Sequence, residues 1–375
     1  MKILLTGGGT GGHFWPLIAV AEELNTLLEE QKVLGFKLYY MADTEYNKAA
    51  LFENQIEFIS VPAGKLRTYS SAQNFFDGFR TAWGSFVGLL KVFSLYPDVV
   101  FSKGGYASFP AVFAARILRI PVVIHESDTV PGRVNLWSAK FAERIAVSYP
   151  EAYALFPKDK TAQTGQPIRR DLLQKVKEGA HTYFKLDPSI PTIVVVGGSQ
   201  GAQIINDTIL DVLPSILPYA QVIHQTGEKL YQETVYRTQV VLDKNEFKDR
   251  YHIFKNLSTA DLKYAAGTAT LFISRAGSMI FEIAQWEVPS IIIPIKPSVS
   301  RDQTANAFSY ARTGACVVIE ESNLTASILA DQIKHILNNP NLQQAMIESA
   351  KTIRRPDAAR TIAQAIIDIG IKHES

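Results

Sequence analysis

Thr6-Gly7-Gly8-Gly9-Thr10-Gly11-Gly12-His13 runs directly from an apolar stretch into a helical pattern. Bare backbone N–H groups and the positive end of a helix suit such a loop to an anion, a phosphate above all. Read literally, Gly7, Gly9 and Gly12 satisfy the G-x-G-x-x-G fingerprint of dinucleotide binding. Asp43 could then hold a ribose, although it comes about ten residues later than that fold usually places its acidic residue. His13 sits at or just before the helix N-terminus, where the dipole disfavours the imidazolium. A neutral ring there can accept a proton, or it merely caps the loop.

A second loop of the same kind, Gly197-Gly198-Ser199-Gln200-Gly201, follows Val194-Val195-Val196. Ser199 could donate to a phosphate together with neighbouring N–H groups. Arg169, after the Gly165-Gln166-Pro167 turn, could reach the same anion with its rigid fork of donors, or it is a surface residue beside Arg170. Ser274-Arg275-Ala276-Gly277-Ser278 precedes a helix carrying Glu282, a carboxylate that can accept both hydroxyls of a ribose or simply sit well near a helix start. Asp302-Gln303-Thr304-Ala305-Asn306 supplies amides suited to sugar hydroxyls.

These loops need strands and helices to hold them. Short β-rich runs alternate with amphipathic stretches throughout, the pattern of parallel sheets with crossover helices. Strands are expected near Lys2–Thr6, Lys37–Met41, Glu57–Val61, Val99–Ser102, Val122–His125 and Arg144–Ser148. A second six fall near Thr192–Val196, Gln221–Gln225, Tyr251–Phe254, Thr270–Ser274, Ser290–Pro294 and Cys316–Ile319. Pro16 can start a first helix whose apolar face runs from Leu17 to Leu28, and Pro214 ends or kinks the matching helix of the second half. The Gly- and Pro-rich segment Thr161–Pro191 joins the halves, with a hinge near Ala162–Gln166 and a ligand cleft between. Two last helices are expected at about 341–353 and 358–371.

With 375 residues, two domains fit better than one. Hydrophobic residues at 47% and charged residues at 20% give material for two cores, and 38 basic against 36 acidic side chains argue against broad nucleic-acid binding. Cys316, the lone cysteine, reads as a small buried thiol in a reducing compartment. The N-terminus has too short an apolar run for a signal peptide, and no uncharged run is long enough to span a membrane.

Taken in order, Thr6 to His13, Gly104-Gly105-Tyr106, His125-Glu126, Pro167-Ile168-Arg169, Gly197 to Ala202, His224-Gln225-Thr226-Gly227, Ser274 to Gly277, and Gln303 with Asn306 closely resemble the MurG family. Those enzymes are UDP-N-acetylglucosamine transferases that convert lipid I to lipid II in peptidoglycan synthesis. The resemblance implies an α/β GT-B fold of two Rossmann-like domains with parallel sheets facing across a cleft. The first would be 1–163 with a returning helix at about 356–375, and the second, holding UDP-sugar, 164–355. By the family pattern, backbone near Leu257 meets the uracil, Ser278, Met279 and Ile280 the nucleotide, Glu282 the ribose, Ser199 and Arg169 the diphosphate, and Gln303 the N-acetylglucosamine. Thr10, Gly11 and Gly12 close over sugar and phosphate, and Asp128 lies beside the sugar site.

His13, with Glu126, then looks catalytic: His13 as the base that deprotonates the muramyl 4-hydroxyl for displacement of UDP with inversion. Tyr106 and Glu126 would contact the acceptor. There is no Asp-x-Asp triplet, so amides, helix ends and Arg169 would neutralise the leaving diphosphate with no metal or cofactor. Where the family usually reads His-Glu-Gln-Asn, this chain has His125-Glu126-Ser127-Asp128, and Arg275–Glu282 is one residue shorter than the usual pattern.

A lipid-linked acceptor implies peripheral attachment at the cytoplasmic side of the cell membrane. Phe75, Phe76, Phe79, Trp83, Phe86, Leu89 and Leu90, interleaved with Arg67, Arg80 and Lys91, suit such an interface, or form an ordinary amphipathic helix with its aromatic face inward. Other readings are another GT-B glycolipid or natural-product glycosyltransferase and a non-catalytic sugar-nucleotide-binding protein. A nicotinamide-dependent oxidoreductase is disfavoured by the second glycine loop and the Arg275–Glu282 segment.

Overall fold

Seven parallel strands form the first sheet: β1 (Lys2–Thr6), β2 (Lys37–Ala42), β3 (Ile56–Ser60), β4 (Val99–Ser102), β5 (Val122–Glu126), β6 (Arg144–Val147) and β7 (Thr161–Gln163). Their order is β3-β2-β1-β4-β5-β6-β7. Strands covered on both faces read as continuous apolar runs, and Ile3, Leu4, Leu5, Val99, Val100 and Phe101 are fully buried. The computed structural model describes residues 1–8, 10–33, 35–64, 73–198, 201–295 and 303–374, with backbone alone at 73–77 and 374.

One face of this sheet is covered by the helix Gly11–Glu30, through Leu17, Val20, Leu24 and Leu28, together with Ile362, Ile366 and Ile367 of the last helix, Ala358–Glu374. The helix starts ahead of Pro16, which sits inside it. The ring removes only the donor to the Gly12 carbonyl, and Gly12 is exposed, where water can serve that acceptor. The other face carries Val92 of the helix Gln73–Leu95 and Ala111, Val112 and Ala115 of Phe109–Leu118.

The helix Gln73–Leu95 packs through its small residues. A Cβ on Gly84 would lie 1.7 Å from the Pro62 carbonyl oxygen and one on Gly88 3.0 Å from Pro110 Cβ. Its outer side shows Phe79, Trp83, Phe86, Leu90 and Phe93 to solvent. Phe79, Trp83, Phe86 and Leu90 thus do not turn inward, whereas Leu89 is half-buried against the core. The side chains of Phe75 and Phe76, and Arg67, lie outside the described residues. No helix among the described residues is long and apolar enough to cross a membrane.

The second sheet holds β8 (Thr192–Val196), β9 (Gln221–Gln225), β10 (Tyr251–Phe254), β11 (Ala269–Ser274), β12 (Ser290–Ile292) and β13 (Cys316–Val318), ordered β10-β9-β8-β11-β12-β13, again all parallel. Ile193, Val195, Ile209, Leu213, Ile273 and Ile333 lie in its core. Cys316 is buried, and burial pushes its thiol up.

The chain divides into Met1–Arg170 with Arg355–Ser375, and Asp171–Arg354. The first unit therefore runs past the expected cut at 163. Thr161–Gln163, expected at the start of the segment joining the halves, pairs with β6 as an edge strand; three residues with one buried side chain leave no period to read. Beyond it, the Arg170 N–H donates to Glu22 at 2.9 Å and its Nε to Glu23 at 2.6 Å, both on the first helix. The returning chain joins at Arg355, where Gly165 allows close approach: φ is +87° and a Cβ there would lie 2.5 Å from Arg355 Cβ.

Candidate active site

Strand order reverses beside β1 and β4 in the first sheet and beside β8 and β11 in the second. In doubly wound sheets ligands bind outside the carboxyl ends of strands at such switch points. The loops after these four strands carry most of the sequence-predicted residues.

In the first unit, Thr10 is the extended N-cap of the helix Gly11–Glu30, and its carbonyl accepts from the N–H groups of His13 and Phe14 at 3.1 and 3.2 Å. Helix geometry gives the N–H groups of Gly11 and Gly12 no carbonyl to serve, so they face outward for an anion. The half-buried His13 ring lies against Gly105: a Cβ there would be 3.3 Å from His13 Nε2, and φ is +84°. Next along, the Tyr106 hydroxyl donates to Asp43 at 3.1 Å. The residue weighed as a ribose ligand is thus engaged by the residue expected at the acceptor.

Glu126 is buried, 3% exposed, and its carboxylate is turned into its own loop. One oxygen accepts from the Asp128 N–H at 3.1 Å, the other from the Gly132 N–H at 2.8 Å and Asn135 Nδ2 at 2.9 Å. That makes it the tie of the 126–135 loop. His125, wholly enclosed, has Nε2 3.0 Å from the Gly165 carbonyl; a carbonyl only accepts, so this nitrogen carries the proton. Burial first, and the Lys103 charge second, hold its pKa well below the ordinary histidine value.

Arg169 belongs to the first unit, not to the second, where the expected boundary had put it. Its guanidinium carbon lies 4.1 Å from the ring centroid of Trp15. The cation is thereby held beside the same helical turn as His13.

In the second unit, Ser199 falls outside the described residues. On β9, His224 is a motif residue whose part is structural. Nδ1 lies 2.8 Å from the Tyr251 hydroxyl and Nε2 3.1 Å from Asn206 Oδ1, while Asn206 donates to the Thr226 carbonyl. Both ring nitrogens are satisfied in the neutral form, and burial pushes the pKa down to about 3. Gln225 donates to the Gly198 carbonyl at 3.3 Å and accepts the Leu257 N–H at 2.9 Å. The Leu257 N–H is therefore already used within the protein.

The loop after β11 is pinned by Arg275, which pairs with Glu321 at 2.7 Å and donates to the carbonyls of Ile293 and Pro294. Ser278 is the N-cap of the helix Met279–Trp286, with Met279 half-exposed and Glu282 half-buried in its first turn. Ile280 is fully buried and its N–H donates to the Gly277 carbonyl, so neither faces a nucleotide here. Gln303 Nε2 lies 3.6 Å from where a Cβ on Gly277 would be, and its buried Oε1 has no hydrogen-bond partner among the described residues. Such an oxygen is suited to a hydroxyl donor. No group of three or more His, Cys, Asp or Glu that could hold a metal occurs among the described residues.

Residues 3–147 match the glycosyltransferase family 28 N-terminal domain and residues 192–362 its C-terminal domain. The chain is 33% identical over 374 residues to the UDP-N-acetylglucosamine--N-acetylmuramyl-(pentapeptide) pyrophosphoryl-undecaprenol N-acetylglucosamine transferase of Lachnoclostridium phytofermentans, 99% of each chain being covered. The protein of that name from Clostridium novyi is 33% identical over 340 residues, 89% of this chain and 90% of that one. The crystal structure of Acinetobacter baumannii MurG superposes with a TM-score of 0.73 at 25% identity, covering 98% of this chain and 99% of that one. The chain belongs to the MurG family of glycosyltransferases.

A UDP-GlcNAc 2-epimerase from Neisseria meningitidis, solved bound to UDP-GlcNAc, shares the fold of this MurG-family chain at TM-score 0.68 and 15% identity, over 98% of this chain and 100% of that one. Lys103, Asn135 and the Arg275–Glu321 pair escaped the sequence reading. Lys103 left a trace as a charged residue directly after the run Val99–Ser102, and Arg275 stood in the Ser274–Ser278 motif without a role.

Proposed function

We propose that this MurG-family chain transfers N-acetylglucosamine from UDP-N-acetylglucosamine to the 4-hydroxyl of the muramyl residue of an undecaprenyl-diphosphate-linked acceptor, with inversion. The observation that carries the reading is the 33% identity, across 99% of both chains, to an enzyme named for that donor and acceptor. In this reading His13 takes the proton of the attacking hydroxyl. The hydroxyl oxygen bonds to the anomeric carbon as the bond to UDP breaks, and the leaving diphosphate takes the electron pair. The N–H groups of Gly11 and Gly12 with Thr10, the Arg169 guanidinium and Ser199 meet that charge.

Glu282 takes the ribose hydroxyls, Leu257, Ser278 and Met279 border the nucleotide, and Gln303 and Asp128 meet the sugar. Tyr106 meets the acceptor, and Glu126 supports that side by fixing its loop. The exposed stripe Phe79-Trp83-Phe86-Leu90-Phe93 supports peripheral attachment at the cytoplasmic face, where a lipid-linked acceptor would be met.

Radiolabelled UDP-N-acetylglucosamine and a lipid I analogue, with wild type and His13→Ala, test this. Transfer by wild type and its loss in His13→Ala are expected. UDP binding without transfer by wild type would overturn the assignment, and near-normal turnover of His13→Ala would remove the base.

A further inference from the structure

Lys103 directly follows β4 and is only 1% exposed. Its backbone N–H donates to the Thr6 carbonyl at 2.9 Å, and a Cβ on Gly7 would lie 2.9 Å from its Cβ. It is therefore wedged directly beneath the first glycine loop. Its ammonium reaches across to the loop after β5 and donates to the Ser127 hydroxyl. Gly104, the next residue, has φ +77° and stands over the Asn135 amide, 2.8 Å from where its Cβ would be. Asn135 donates back to the Glu126 carboxylate and to the His125 carbonyl.

A buried ammonium is costly unless negative charge and hydrogen bonds oppose it. Ser127 is flanked in the chain by two carboxylates, the buried Glu126 and the half-buried Asp128. Glu126 binds three N–H donors of its own loop, including that of Asp128. The ammonium thus ties the loop after β4 to the loop after β5, next in the chain to the Glu126 carboxylate that holds that loop together.

We propose that Lys103 is an acceptor-side positioning residue, whose buried ammonium holds Ser127 beside the buried Glu126, fixing the loop behind the acceptor contacts. It touches no reacting atom and acts through Ser127 and Glu126. The proposal rests on the assignment of Tyr106 and Glu126 to the acceptor side.

The test is a double-mutant cycle in the transfer assay with Lys103→Met, which keeps length without charge, and Ser127→Ala. Lys103→Met is expected to raise KM for the lipid acceptor about tenfold or more, with KM for UDP-N-acetylglucosamine within about twofold of wild type. Ser127→Ala in the same chain removes the hydroxyl that the ammonium uses and should add little to that loss. Additive effects of the two changes, or equal movement of both KM values, would overturn the proposal.

Should Lys103→Met fail to fold, Ser127→Ala removes only the hydroxyl the ammonium uses. It should raise acceptor KM alone by about threefold, and unchanged acceptor KM overturns the idea. Thermal unfolding of the four proteins of the cycle reads the Lys103–Ser127 coupling without any substrate. A wild type that transfers no sugar thus defeats the function assignment, whereas additive melting shifts defeat the Lys103 proposal.

Discussion

The guanidinium carbon of Arg169 lies 4.1 Å from the ring centroid of Trp15, two residues beyond His13 on the first helix. A cation over an indole gains about 0.5–2 kcal/mol, enough to select one orientation of a long side chain before ligand arrives. Arg169→Ala is expected to raise KM for UDP-N-acetylglucosamine about 10- to 100-fold, the loss of a charge-assisted hydrogen bond of about 1.5–3 kcal/mol. Trp15→Leu should do so by about 2- to 30-fold, through lost orientation alone. Arg169→Lys should recover little, because an ammonium has no planar fork. Steady-state kinetics with varied donor decide it: an unchanged donor KM in Arg169→Ala takes Arg169 out of the diphosphate site.

Gly105 brings the loop after β4 against the imidazole. A methyl group there would sit 3.1 Å from the Gly8 carbonyl and 3.3 Å from His13 Nε2, on a backbone with φ +84°. Gly105→Ala should destabilise the protein by about 1–3 kcal/mol from backbone strain and lower kcat about tenfold or more by displacing the base. Gly78 is the matched control, since a Cβ there meets nothing within 4 Å on a helix. Gly78→Ala should leave kcat unchanged and stabilise slightly, by up to about 1 kcal/mol. Equal turnover of the two variants would detach Gly105 from the base.

Both sheets were legible because twelve of their strands are apolar runs bounded by turns, and both glycine loops because a run such as Gly7 to Gly12 has no other easy use. β7 was not, since Thr161–Gln163 is paired by its place at the sheet edge and by no pattern of its own. Arg169 showed its chemistry in its type, yet its unit is set by Trp15, a contact 154 positions away in sequence (169 − 15) that spacing cannot reveal. Glu126 is the opposite case. It sits in a motif expected to do chemistry, and its carboxylate is spent on the N–H groups of Asp128 and Gly132 and the Asn135 amide.

His224 makes the second unit acid-sensitive. Its unfolded pKa is near 6.5 and its folded value is pushed down to about 3 by burial. Below pH 6.5 the unfolded chain therefore binds a proton that the folded one refuses. Stability is fully present above pH 6.5 and falls as pH drops towards 3, by up to about 1.4 kcal/mol per pH unit. His125, enclosed in the first unit, adds a loss of the same sign there. His224→Gln should lower stability at pH 8 through its altered bonds to Tyr251 and Asn206, yet flatten the decline between pH 6.5 and 5. Urea unfolding at a series of pH values measures this, and identical slopes would show that His224 is not the group responsible.

The helix Gln73–Leu95 carries apolar side chains on two sides, Val92 and Leu89 inward and a second set outward. Gly84, Ser85 and Gly88 face the protein, while Phe79, Trp83, Phe86, Leu90 and Phe93 recur at helical spacing with between 52% and 64% of their surface exposed. Large apolar side chains left in water along one stripe mark a surface that another apolar phase covers, and the exposed Arg80 and Lys91 at its margin favour an anionic one. Each ring inserted contributes about 1.5–3 kcal/mol of apolar burial. Phe79→Ser/Trp83→Ser should therefore cut partitioning onto anionic vesicles by more than about tenfold, while leaving turnover of a short-chain, water-soluble acceptor analogue near wild type, because neither ring is assigned to the loops after β1, β4 and β5. Vesicle flotation of the two proteins, run beside that assay, separates the effects. Equal flotation would remove the stripe as the membrane surface, and a joint loss of flotation and soluble turnover would mean that the helix supports the fold of the first unit instead.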